Sequence, residues 1–233
     1  MAARLAAALA LCGLGGLFWL AGHRSWSGGR LLPAEARANT GDEPHYLLIV
    51  NSILRDHDLQ LEDDYWRAWR GGAEAGLAAR GRRIDHHTLL VDHADGRAVF
   101  WHEAYDWSRP VECGGSRCAG FALRLPEFAP GPGIVEVSSH PIAYPALLAA
   151  LLAPLRDSPE QVELHAVALS ALFGWLACIA SYLVARRSGM ERRWAVCAAL
   201  LAGAASPLLA YGRALFPEAL LAMVLSLDRK SVV

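Results

Sequence analysis

The stretch TGDEPHYLLIVNSILRD, Thr40–Asp56, joins two adjacent acids and a proline to an apolar run. Pro44 suits the first turn of a helix, where its missing N–H has no intrahelical partner to lose. The apolar residues that follow recur at helical spacing, whereas Asn51 and Arg55 fall on the other side. The spacing therefore predicts a short juxtamembrane helix over about 43–55, lying on a membrane with its apolar side down.

The two acids at the start of this helix, Asp42 and Glu43, have two interpretations. Asp42 is a preferred N-cap residue, and Glu43 stands three residues after Thr40, which completes a capping-box pattern. Alternatively, the carboxylates do chemistry at a membrane surface. One would then stay ionised as a general base, and the other would be its partner or a metal ligand. Spacing alone favours capping.

Composition narrows the class of protein. Of the 233 residues, 54% are hydrophobic and 19% charged, below the ~25% of soluble domains. The net charge of −1 gives no field that would attract nucleic acid, so we expect no nucleic-acid partner. Cys113 and Cys118 are separated by four residues in a polar stretch and are a disulfide candidate if that stretch faces an oxidising compartment.

The apolar residues are concentrated in segments, and a membrane-crossing helix needs about 20 of them, with about 17 as a lower limit. Three segments reach that length, one is too short, and one stops early. We therefore expect transmembrane helices over 1–21, 162–185 and 194–211, and a truncated one over 216–227. Between them we expect an external loop over 22–140, a short re-entrant or interfacial segment over 141–155 and a cytoplasmic loop over 186–193.

Charge predicts the orientation of these segments. The connection RRSGMERR, Arg186–Arg193, holds four arginines, and positive residues concentrate in short cytoplasmic loops. The long loop 22–140 would then lie outside the cytoplasm. A cleaved signal peptide is the alternative for Leu5–Ala21, and either interpretation leaves the long loop outside. The last six residues, Asp228–Val233, resemble a translated sequencing adapter, so we expect a non-native tail on an N-terminal fragment.

Four pieces of sequence carry a resemblance to a known superfamily. They are GDEPHYLL at 41–48, DHDLQLEDDY at 56–65, HPIAYP at 140–145 and SPLLAYGRALFPE at 206–218. In this order the pieces resemble the GT-C fold glycosyltransferases, which include protein O-mannosyltransferases and lipid A aminoarabinose transferases. Ala143 stands where that family commonly has glycine. The resemblance implies an α-helical polytopic protein of the bacterial inner membrane, here a truncated GT-C-like bundle with a long external loop of mixed α/β character.

The resemblance also implies a reaction and a set of site residues. Such enzymes move a sugar from a polyprenyl-phosphate donor to an acceptor at the outer face of the membrane. The implied partners are therefore a lipid-linked sugar donor, the membrane and an acceptor that the sequence does not identify. The cofactor is unknown, with a divalent metal ion as the candidate. The implied catalytic residues are Asp42, Glu43 and Glu218, and the implied substrate-binding residues are His45, Tyr46, His140 and Arg213.

Two of these residues have simpler explanations, and one His-rich stretch does too. Glu218 suits a helix N-terminus, and Arg213 suits a membrane interface. The stretch DHHTLLVDH, Asp85–His93, continues through Asp95-Gly96 into a second apolar run, which predicts a β-hairpin over about 87–102. Because hairpin composition explains its histidines, no metal site is expected there.

Two other functions remain open. In the first, the loop 22–140 is the binding domain of a membrane-anchored sensor without enzymatic activity. In the second, the chain is a transporter subunit, a class that places ionisable residues inside its spans. The predicted spans are nearly free of such residues, which disfavours the transporter.

Overall fold

The computed structural model describes residues 2–27, 30–33, 42–76, 79, 81, 84, 86–111, 120–129, 131–204, 208–209 and 214–227. The chain divides into two compact units. The first contains residues 1–37 and 164–233, and the second contains residues 38–163. Four features used in the predictions from the sequence lie outside the described residues, and the predictions about them remain predictions. They are Thr40, the cysteines Cys113 and Cys118, Arg213, and the tail Asp228–Val233.

The first unit is mainly helical. Its elements are α1 (Ala2–His23), a hairpin of β1 (Arg24–Ser27) and β2 (Arg30–Pro33), the larger part of α6 (Pro159–Arg187), α7 (Arg192–Ala204) and α8 (Glu218–Leu227). Leu14 and Phe18 of α1 pack on Ala171 and Cys178 of α6. The indole Nε1 of Trp175 donates to the carbonyl of Leu11 at 2.9 Å, so a hydrogen bond reinforces this apolar contact.

The expected polytopic bundle is wrong. Among the helices within the described ranges, α6 alone is long and apolar enough to cross a membrane, with a mean hydropathy of 2.0. The apolar part of α1 is shorter, Arg4–Leu20, while α7 has 13 residues and α8 has 10. The prediction rested on the length of uncharged runs, whereas crossing also requires one continuous apolar helix of about 20 residues.

The second unit combines short helices and strands. Its helices are α2 (Glu43–Asn51), which continues as a π-helix over Ser52–Asp56, α3 (Glu62–Trp69), α4 (Trp101–Ala104) and α5 (Ala143–Leu152). Its strands are β3 (Thr88–Asp92), β4 (Ala98–Phe100), β5 (Tyr105–Pro110), β6 (Phe121–Leu123) and β7 (Ile134–Ser138). One part of the core joins α2 to α3 through Leu48, Ile49, Leu61 and Tyr65, and another surrounds the fully buried Trp101.

Helix α2 is buried along its whole length, from Glu43 to Asn51. The sequence predicted a surface helix with one polar side, and this is not what the structure shows. The polar side is buried as well, because its polar groups form hydrogen bonds inside the unit. The side-chain amide of Asn51 donates to the carbonyls of Leu47 at 3.0 Å and Glu74 at 2.8 Å. Such bonds offset the free-energy cost of burying a polar side chain.

The second half of this unit contains a three-stranded antiparallel sheet. Its strand order is β4-β3-β7, and the β3–β4 pair forms a hairpin where the sequence predicted one. Strand β3 also pairs with β7, in a register that sets Thr88 opposite Ser138. Beyond that pair, Ser139 N donates to the carbonyl of His87 at 2.9 Å. The register therefore brings the residues just before β3 beside those just after β7.

Helix α5 occupies the segment that the sequence predicted to be re-entrant or interfacial. One side of the helix, with Tyr144, Leu148 and Leu152, is buried. The other side leaves Leu147 and Leu151 37% and 49% exposed. An apolar helix with one uncovered side presents a surface that a membrane or an apolar ligand would cover.

Candidate functional site

The candidate site begins at Asp42, immediately before α2. Asp42 occupies the N-cap position, but its side chain makes no capping hydrogen bond. Its carboxylate Oδ2 lies instead 4.0 Å from Nδ1 of His140, and 43% of the side chain is exposed. The capping interpretation of Asp42 therefore lacks its defining hydrogen bond, and the carboxylate is open to a substrate.

Three histidines meet beside this carboxylate, each from a different part of the unit. His45 lies in the first turn of α2, His87 directly precedes β3, and His140 follows β7 by two residues. The pairing of β3 with β7 brings the last two together, and the burial of α2 in the core adds the first. One ring nitrogen from each histidine lies within 4.8 Å of the other two.

The three imidazoles are stacked face to face. The ring centroids of His45 and His87 are 4.0 Å apart, with 16° between the ring planes. Those of His45 and His140 are 5.0 Å apart, with 18° between planes. Nδ1 of His87 and Nε2 of His140 approach to 3.0 Å, within hydrogen-bond distance. Two neighbouring nitrogens at this distance can share a proton or bind one common ion.

Two tyrosines hold the imidazoles in place. Nδ1 of His45 and the hydroxyl of Tyr65 share a 2.5 Å hydrogen bond, and the same hydroxyl accepts from the backbone N–H of His87 at 3.3 Å. The ring of Tyr46 lies 5.3 Å from that of His140 and also packs edge-on against Tyr144. The histidines are therefore fixed by neighbours from α2, α3 and α5.

Burial keeps two of these imidazoles neutral. It lowers the pKa of His45 to about 3, and the adjacent His87 and His140 contribute to that shift. Burial also lowers the pKa of His140, although the Asp42 carboxylate opposes that shift. At neutral pH the nitrogen lone pairs of these rings are therefore available to bind a proton or an ion.

The structure brings together four of the seven residues that the sequence nominated: Asp42, His45, Tyr46 and His140. Glu43 is buried in the first turn of α2, only 3% exposed, so a substrate cannot reach it directly. Glu218 is the exposed first residue of α8 and belongs to the other unit.

Sequence reasoning did not select His87, because the histidine-rich stretch around it was fully explained as a hairpin. Its neighbour His86 is fully buried between the rings of Tyr65 and Trp101. The sequence did contain one signal that could have identified His87, namely its position relative to a predicted strand. His87 and His140 stand just outside two strands that could pair, and pairing of those strands brings their ends together.

A second polar cluster, formed by Glu62 and Glu136, was also missed. Oε2 of Glu136 accepts from the backbone N–H groups of Leu61 and Glu62, both at 3.0 Å. The hydroxyl of Tyr105 donates to Glu62 at 3.3 Å, and Nδ1 of His86 lies 4.0 Å from Glu136. The two carboxyls border a cavity of about 140 Å³ that Leu90, Phe128 and Ile134 also line.

These two carboxyls make stability depend on pH. Burial raises the pKa of Glu136 to about 8, with a further contribution from the Glu62 carboxylate. Burial likewise raises the pKa of Glu62 to about 7, with a smaller contribution from Asp63. The folded protein therefore retains protons that the unfolded chain releases above pH ~4.5. We expect the free energy of unfolding to fall as pH rises from about 4.5 to 8.

The substitution Glu136→Gln tests this pH dependence. Its amide oxygen can still accept the two backbone N–H groups, but the side chain cannot ionise. We expect the variant to be more stable than the wild type at pH 8 by roughly 2–4 kcal/mol, and nearly equal to it at pH 4.5, because one pKa unit corresponds to about 1.4 kcal/mol. Thermal unfolding from pH 4.5 to 8.5 measures the difference.

Glu127→Gln is the matched control, because Glu127 is an exposed acid that pairs with Arg97 at 3.4 Å on the surface. Its stability should follow the wild-type pH profile. An unchanged slope in Glu136→Gln would show that the buried pair does not titrate between pH 4.5 and 8.

Comparison with family models, with curated proteins and with solved structures finds no match to this chain. The resemblance to the GT-C glycosyltransferases therefore rests on its sequence motifs alone. What the site does has to be inferred from its own geometry and chemistry.

Proposed function

We propose that this protein acts in sugar transfer at the outer face of the bacterial inner membrane, with a polyprenyl-phosphate sugar as donor and Asp42 as general base. One observation carries the proposal. The Asp42 carboxylate has no capping bond, is 43% exposed, and stands at the edge of a cluster with His45 and His140. Those residues were nominated from widely separated motifs, and the fold gathers them at one place.

The chemistry required of Asp42 is proton removal. An acceptor hydroxyl attacks the anomeric carbon of the donor sugar, and the bond between that carbon and the phosphate oxygen breaks. The bonding electron pair leaves with the polyprenyl phosphate, and the hydroxyl proton moves to the Asp42 carboxylate. A carboxylate within hydrogen-bond reach of the hydroxyl can perform this role. Arg213, which the resemblance assigns to the phosphate, lies outside the described residues.

An apolar groove beside the site suits the lipid part of the donor. The groove has a volume of about 580 Å³ and is lined by Ile53, His57, Asp58, Leu59, Ile142 and Ala146. Ile142 follows His140 by two residues and is 47% exposed, and Leu59 is 40% exposed. Burying such side chains against a polyprenyl chain is favourable by about 25 cal/mol per Å² of apolar surface. We assign the groove to that chain.

Photolabelling tests the donor assignment. The chain in detergent would be irradiated with a polyprenyl-phosphate sugar that carries a diazirine in its first isoprene units. We expect labelled peptides from residues 53–59 and 142–146, and an excess of unmodified donor should suppress them. Labelling elsewhere, or labelling that the donor does not suppress, would contradict the proposal.

A second candidate function is an anchored binding module without transferase activity. The observation that favours it is the compactness of residues 38–163, which form a unit of their own. Such a module would recognise a water-soluble ligand rather than a lipid. If the full chain binds a soluble saccharide, and polyprenyl-phosphate donors do not compete, this second function replaces the first.

A further inference from the structure

We propose that His45, His87 and His140 bind one divalent transition-metal ion, with zinc as the probe of choice. The three side chains offer one ring nitrogen each, and these nitrogens lie within 4.8 Å of one another. This inference goes beyond sugar transfer, because binding of the ion depends on these side chains and not on any reaction.

One pair of the nitrogens has a spacing close to that of a zinc site. With Zn–N distances of about 2.1 Å, a tetrahedral ion places its ligand nitrogens about 3.4 Å apart. Nδ1 of His87 and Nε2 of His140 are already 3.0 Å apart. The ring nitrogens lie within 4.8 Å of one another, and the rings are stacked, so they would have to rotate about their χ angles to point all three nitrogens at one ion.

The type of ligand indicates the type of ion. Imidazole nitrogens suit zinc, copper, nickel and iron, whereas magnesium and calcium prefer oxygen ligands. Three protein ligands with a fourth position open are the arrangement of catalytic zinc sites, as opposed to closed structural ones. The ion should therefore be a transition metal with one coordination position available to a further ligand.

The outer contacts of the histidines also match those of metal ligands. Ligand histidines usually donate their second ring N–H to a carboxylate or another oxygen, which fixes the orientation of the ring. Here Nδ1 of His45 and the Tyr65 hydroxyl share a 2.5 Å hydrogen bond, and the Asp42 carboxylate lies 4.0 Å from Nδ1 of His140, beyond hydrogen-bond distance but close enough to approach it on metal binding. In this arrangement His45 and His140 would bind the ion through Nε2, and His87 would bind it through Nδ1.

Calorimetric titration of zinc into the full chain, purified without a polyhistidine tag, tests the proposal. We expect one zinc per chain, retained in millimolar magnesium. His87→Ala should weaken binding by at least about 100-fold, since loss of a ligand should cost at least as much as loss of an outer contact. His93→Ala, at a histidine of the same hairpin outside the cluster, should bind like the wild type. Tyr65→Phe keeps every ligand and should weaken binding about 10-fold.

Absence of stoichiometric binding by the wild type would overturn the metal site, and so would equal affinities for His87→Ala and His93→Ala. The Tyr65→Phe variant keeps the test valid if His87→Ala fails to fold. Because the titration contains no sugar donor, its failure leaves the transferase proposal standing. Failure of donor labelling likewise leaves the metal site standing.

Discussion

Replacing Asp42 by Asn should reduce the rate of sugar transfer by about 100- to 10,000-fold, the usual contribution of general acid–base catalysis. The amide cannot accept the acceptor's proton. The amide has the same size as the carboxylate, which lies 4.0 Å from Nδ1 of His140 without a hydrogen bond, so the histidine cluster should keep its orientation. Asn is also as good an N-cap residue as Asp, so helix α2 should remain intact. The assay is transfer of labelled sugar by the full chain in lipid vesicles.

Asp157→Asn is the matched control for this experiment. It makes the same chemical change at a side chain that is 94% exposed and outside the site. This variant should transfer sugar at the wild-type rate. Zinc titration of both variants measures the other role of Asp42, as an outer contact of the ligand His140, and Asp42→Asn should weaken zinc binding by about 10-fold. The transfer assay is therefore run with zinc in excess. Wild-type activity in Asp42→Asn would refute the general-base assignment.

Gly120→Ala should destabilise the protein by about 2–5 kcal/mol. Gly120 has φ +69, and an added Cβ would overlap the indole ring of Trp66. A left-handed conformation costs a non-glycine residue roughly 1–2 kcal/mol, and forcing a packed side chain aside costs about 1–3 kcal/mol more. Trp66 has little freedom to move, because it packs against Trp69 and Phe121. Thermal unfolding at fixed pH measures the loss.

Gly96→Ala isolates the contribution of the Trp66 contact. Gly96 has nearly the same backbone angle, φ +71, but an added methyl at that position would meet no heavy atom within 4 Å, so only the backbone cost should appear. We expect Gly96→Ala to lower stability by about 1–2 kcal/mol. If the two variants are equally stable, Trp66 does not pack as the structure shows.

Local elements could be predicted from the sequence because their signals are local. Pro44 and the apolar spacing after it mark the start of α2, and Asp95-Gly96 marks the turn between β3 and β4. What covers α2 could not be predicted. Its burial depends on the hydrogen bonds of Asn51 and His45 to partners about twenty residues away. No pattern within the helix reveals such partners.

The number of membrane-crossing helices was overestimated for a different reason. Hydropathy reports how apolar a run is, whereas crossing also requires that the run form one helix of sufficient length. Among the helices in the described part of the chain, α6 alone meets both requirements.

The site was partly predictable. Asp42, His45 and His140 were selected from motifs, and the structure places them together. His87 and Glu136 were not predicted as site residues, because their importance depends on strand pairing. The β3–β7 register joins residues about fifty positions apart, and a single sequence does not reveal which strands pair or in which register.

X-ray absorption at the zinc edge gives the most direct test of whether His45, His87 and His140 meet at one point. The zinc-loaded full chain should show three imidazole ligands at about 2.0–2.1 Å, and His87→Ala should show fewer. The convergence of the three histidines would be contradicted if the wild-type spectrum showed one imidazole ligand or none and the His87→Ala spectrum did not differ from it.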